Sequence, residues 1–164
     1  MRTTILLVVA LGCTTGHDQP LARRAAAAHD PSYAAVQGRG AEAMGVNQYT
    51  SSHVFEPLVD GGRIELQRDA VDSAGTAQIR RHMNQIAGQF AAGDFRLPGY
   101  VHAQAVPGTG VMAAKRSAIS YTVEFLPRGA AVRVRSGDPA AVQAIHQFLA
   151  FQRYDHHAPA HHDS

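Results

Sequence analysis

With 164 residues, 45% of them apolar, the chain can build one domain around a core, and its single cysteine leaves no pair for an intrachain disulfide. The formal charge is only +2, the arginines are scattered and Lys115 is the only lysine, which argues against a nucleic-acid groove. Histidine is the compositional outlier: there are ten, and four fall in the last nine residues.

The chain opens with Met1-Arg2, a short positive region, then the apolar run Ile5 to Leu11, then Gly12 and Cys13. That order reads as an export signal over residues 1–13, since the apolar run is far shorter than the about 20 residues a membrane-spanning helix needs. Ala10-Leu11-Gly12-Cys13 resembles a bacterial lipobox, with Ala10 where leucine is commoner. Cys13 is therefore expected to become a lipidated N-terminus, holding the protein at the cell envelope, on the periplasmic side, through its lipid anchor alone. Residues 14–44 are mostly small or polar and read as a tether, in which Tyr33 to Met44 has only weak helical character because of Gly38, Gly40 and Gly45.

A single domain is expected over residues 45–154. Val54 to Val59 and Arg63 to Asp69 flank Asp60-Gly61, a two-residue turn signal, and Pro57 assigns the first strand to a sheet edge because it cannot donate to a ladder. Ile79, Met83, Ile86 and Phe90 make one stripe of a helix from about Thr76 to Ala92, closed by Gly93. Tyr100 to Val106 and Val111 to Lys115 read as extended segments. A second hairpin follows: Ile119, Tyr121, Val123 and Phe125 alternate, Pro127-Arg128-Gly129 turn, and Val132 and Val134 return. The last helix, Ala140 to Tyr154, starts after Asp138-Pro139 and carries Val142, Ile145 and Leu149 on its apolar face. The order is α+β: an antiparallel sheet from two ββα units with both helices on one face. A duplication of this kind needs a four-residue insertion around Asp69 to Ala74 and gives His82 and His146 related positions.

No tight ligand motif such as HExxH or CxxC is present, and neither is a nucleophile elbow or phosphate loop, which favours a binding role over an enzyme and ranks last a small hydrolase or isomerase pairing His102 or His146 with a carboxylate. The chemistry that remains belongs to the histidines. His53, His82, His102 and His146 are spread through the domain, with Met44, Met83 and Met112 as possible soft neighbours, and three or more imidazoles brought together by a fold suit copper or zinc. His82 and His146 each border an apolar helix face, where a half-buried histidine with a backbone partner is the plainer alternative. The tail, residues 155–164, adds Asp155-His156-His157 and His161-His162-Asp163, which can chelate from a flexible segment.

Three stretches, MGVNQYTSSHVFEPLVDGGRIEL, GDFRLPGYVHAQAVPGTGVMAAK and AIHQFLAFQRYDHH, resemble a group of short exported bacterial proteins of unestablished function, some carried under the label aspartate carbamoyltransferase. The resemblance implies an exported protein and no particular activity. The transferase activity is not supported: the chain is about half the length such an enzyme needs and lacks its Ser-Thr-Arg-Thr phosphate-binding motif. The expectation is an envelope protein that binds copper or zinc through His53, His82, His102, His146 and His156, with affinity falling below about pH 6.5 as imidazoles protonate. The alternative is a metal-free envelope module that docks an unidentified protein partner on its sheet face.

Overall fold

A computed structural model describes residues 30–45 and 47–158. The signal-like segment with Cys13, the first part of the tether and His161-His162 lie outside the described residues. The elements run α1 (Pro31–Met44), β1 (Ser51–Leu58), β2 (Gly61–Arg68), α2 (Ser73–Ala91), α3 (Arg96–His102), α4 (Thr109–Ala114), β3 (Ile119–Leu126), β4 (Gly129–Ser136) and α5 (Pro139–Asp155). The architecture is α+β, with a four-stranded antiparallel sheet in the order β1-β2-β4-β3 and the long helices packed against it. None of the described helices is long and apolar enough to cross a membrane.

Local chemistry explains most of these elements. Asp72 and Asp138 cap α2 and α5 by accepting backbone N–H bonds from Gly75 and from Ala140 and Ala141. Pro57 lies on edge strand β1. Both hairpin turns fall one position earlier than their glycines suggest: Leu58 pairs with Gly61 across Val59 and Asp60, and Leu126 pairs with Gly129 across Pro127 and Arg128. Gly61 opens β2 at φ 139°, where a Cβ would lie 2.3 Å from the Val134 carbonyl oxygen. The core between sheet and helices is filled by Leu66, Ile79, Met83, Val132, Ile145 and Leu149, each at most 1% exposed.

The structure corrects two of the expected segments. Tyr100 to Val106 and Val111 to Lys115 are not extended: Arg96–His102 and Thr109–Ala114 are helices. Pro98 sits in the first turn of α3, where it removes no helical bond, and burial of Pro98, Val101 and His102 on one side stabilises the short helix. Pro31–Met44, read as part of the tether, is a capped helix with Val36 and Met44 buried. It is fastened to the domain by Arg39 Nε donating to Val101 O (2.7 Å), Gln78 Nε2 donating to Met44 O (3.0 Å) and Tyr33 stacking on His157 at 4.4 Å.

The two ββα units superpose in register. β1 and β3 begin 68 residues apart, at Ser51 and Ile119, as do β2 and β4, at Gly61 and Gly129. Under that shift the central pairing maps onto itself: Gly61↔Arg135 becomes Gln67↔Gly129, and Ile64↔Val132 is unchanged. Each helix lies over the other unit's hairpin, α2 over β3 and β4 and α5 over β1 and β2. The helix caps Asp72 and Asp138 are 66 residues apart, so the length difference is two residues rather than four. That changes the equivalences. Ile79 matches Ile145 and Met83 matches Leu149, all four buried, while His146 matches Arg80 and not His82. The match is chemical as well: His146 Nε2 donates to Leu58 O at 2.9 Å and Arg80 Nη2 donates to Leu126 O at 2.7 Å, each clamping the end of the equivalent strand.

Candidate functional site

Four of the five histidines singled out from the sequence, His53, His82, His102 and His156, line one cavity of about 70 Å3, room for a few water-sized groups. Each comes from a different element. His53 points inward from β1 opposite Leu66, His82 lies on the buried stripe of α2, His102 is the last residue of α3, and His156 follows the last turn of α5. The wall between them is apolar, formed by Phe55, Leu66, Ile86 and Val101, and Met44 and Met83 complete it. α1 closes one side through Ala43 and Met44.

Three of the rings are in contact through His156. His156 lies 4.7 Å from His53 and 5.1 Å from His102, and 5.5 Å from the Phe55 ring, measured between centroids. Burial, with the His82 and His102 imidazoles nearby, pushes His53 down to about 4, and burial pushes His82 down to about 4; burial, with His53, His102 and His157 nearby, holds His156 well below the ordinary histidine range. These rings are neutral at pH 7, the state in which imidazole offers a lone pair. Three polar atoms on the cavity wall lack a hydrogen-bond partner: His82 Nδ1, His156 Nδ1 and Gln152 Nε2. His82 and His156 are each 8% exposed, so water does not readily replace the missing partners.

His102 is held differently. Its Nδ1 donates to the carboxylate of Asp155, the residue immediately before His156, and its Nε2 lies 3.0 Å from Gln152 Oε1. With Nδ1 protonated, a neutral ring presents its lone pair at Nε2. Turning the Gln152 amide about its last bond puts the unpartnered NH2 on that lone pair. A carboxylate behind one ring nitrogen is the arrangement that orients metal-binding histidines; here the other nitrogen, Nε2, is held by Gln152, and an ion would reach it by displacing that amide. Among the described residues no three or more His, Cys, Asp or Glu side chains already converge on a common centre.

The internal duplication supplies a control within the molecule. The positions equivalent to His53, His82 and His156 are Tyr121, Phe148 and Phe90, which pack together at 5.8 Å and 6.0 Å around Phe90. The same three places in the fold hold an aromatic plug in one half and imidazoles around a cavity in the other. The fold therefore does not require histidine there.

His146 stands apart from the cavity, its Nε2–H used by Leu58 O. Glu65 and Glu124 are both bound to Arg63. Asp155 and Gln152 were not foreseen as site residues. The only signal for Asp155 is its place beside His156 in the tail motif, and that motif is folded: His156 is buried and His157 stacks on Tyr33. No protein-family model matches this chain, and no curated protein or solved structure matches it either.

Proposed function

We propose that the protein binds a transition-metal ion in the histidine-lined cavity, through His53, His82, His102 and His156, with Asp155 orienting His102. The observation that carries this reading is the pair of buried, partnerless nitrogens, His82 Nδ1 and His156 Nδ1, in a cavity that the equivalent half of the molecule fills with phenylalanine. A buried polar atom without a partner costs about 1–3 kcal/mol, and a bound ion removes that cost. The imidazoles stack more than they converge, so binding involves turning rings within the cavity, a side-chain adjustment common on ligand binding. His146 leaves the ligand set. The signal-like segment ending at Cys13 assigns this activity to the cell envelope, with a lipid anchor as the membrane contact.

The test is metal titration of the full chain and of His82→Phe and His156→Phe, each compared with a chain in which His161 and His162 are serine. One ion per chain, kept after the tail changes and lost in either phenylalanine variant, supports the cavity. Binding that disappears with the tail changes alone overturns it.

A further inference from the structure

The geometry points to monovalent copper, rather than a divalent ion, as the occupant of this cavity, held by imidazole nitrogens with the thioether of Met83 or Met44; this rests on the metal-binding reading above. Three features of the wall argue for it. First, the lining offers only neutral donors: histidine nitrogens, methionine sulfur and the Gln152 amide, with no carboxylate or thiolate facing the space. Zinc and cupric sites buried in protein offset two positive charges with water, carboxylate or thiolate, and this wall supplies none of the last two.

Second, the charge balance favours one unit. The one carboxylate attached to the site is Asp155, which accepts from His102 Nδ1 behind the wall. It offsets a single positive charge and leaves a dication with one unit uncompensated among Phe55, Leu66, Ile86 and Val101. The energy of burying an ion grows with the square of its charge, so a bare dication costs about four times as much as a monocation of similar size. A soft monovalent ion that accepts two to four neutral donors avoids that penalty.

Third, the sulfur is placed by the same substitution pattern as the imidazoles. Met83 is equivalent to Leu149 in the other half, so this half holds a thioether where the other holds leucine, and histidines where the other holds three aromatic rings. Met83 is 1% exposed and Met44 6%, and both line the cavity with His82 and His53; the Met44 sulfur accepts from Gln48 Nε2 at 3.9 Å, which makes Met83 the freer thioether. Thioether with imidazole selects cuprous copper over zinc. His53, the partly exposed member, gives the ion a way in from the surface.

The experiment measures cuprous copper under anaerobic ascorbate against a chromophoric copper(I) chelator, and zinc against a zinc chelator, on the full chain with His161 and His162 changed to serine. The expected result is one copper(I) per chain, bound at least about 100-fold more tightly than zinc. Met83→Leu and Met44→Leu, both close to volume-conserving, are compared separately; at least one lowers copper(I) affinity about tenfold without changing zinc. X-ray absorption of the copper-loaded wild type shows a sulfur neighbour, and that signal weakens in the same variant. Tighter zinc than copper(I), or a copper site with nitrogen neighbours alone, overturns this inference while leaving the metal site standing. Failure of both ions to bind overturns the site itself.

Discussion

His102 and Asp155 set the residue-scale behaviour of the cavity. The Asp155 carboxylate holds the Nδ1 proton and Gln152 holds Nε2, so a ligand reaches Nε2 by displacing the Gln152 amide. Asp155→Asn keeps the shape and removes the charge; metal affinity is expected to fall about 10- to 100-fold with the fold intact by circular dichroism. His146→Ala should leave affinity unchanged, because that ring serves Leu58 O, and should lower stability by about 1 kcal/mol in denaturant titrations. In metal-free protein His156→Phe restores the residue found at the equivalent position, Phe90, and removes a buried nitrogen without a partner. Its denaturation midpoint should rise by an amount worth about 1–3 kcal/mol; a fall would mean that His156 Nδ1 is satisfied in solution. Sequence reading reached these histidines by count and by nearness to apolar stripes. It could not separate His146 from His82, since both border such a stripe, and the difference lies in which strand end each helix meets.

At the level of elements, α5 and β2 approach closely at Gly62. A Cβ on Gly62 would sit 2.2 Å from Leu149 Cδ1 and 2.8 Å from Glu56 O, so this glycine lets the helix settle onto the first hairpin. Gly62→Ala is expected to destabilise by about 1–3 kcal/mol in chemical denaturation. The strands and long helices were legible because their periods are unambiguous: Ile64 and Leu66 alternate with polar residues, and Ile79, Met83, Ile86 and Phe90 recur every three or four. The segments around His102 were misread as extended for a physical reason. Arg96–His102 and Thr109–Ala114 span too few turns to show a period, and Val101, Val106 and Val111 carry strand propensity. Packing against α1 and α5 overrides that propensity.

For the whole molecule the consequence of neutral buried histidines is a pH dependence of stability. His53 and His82 titrate near 4 in the folded chain and near 6.5 when unfolded. Between those values the unfolded chain binds more protons, so metal-free stability is complete above about pH 6.5 and is lost as pH falls toward 4, at about 1.4 kcal/mol per pH unit for each such histidine. Unfolding free energies measured in chelator from pH 7 to 5 should show that slope, and His82→Phe should lose one histidine's share; a flat profile contradicts neutral burial. The sequence by itself determined the alternation and the stripes, the cap at Asp138 and the edge position of Pro57, because each depends on neighbours within a turn or a hairpin. Only the tertiary structure decided the site. His53, His82, His102 and His156 lie on four elements spread over a hundred residues, and they meet because an internal two-fold relation turns each helix onto the opposite hairpin and leaves one half of the core lined with imidazole where the other half is packed with aromatic rings.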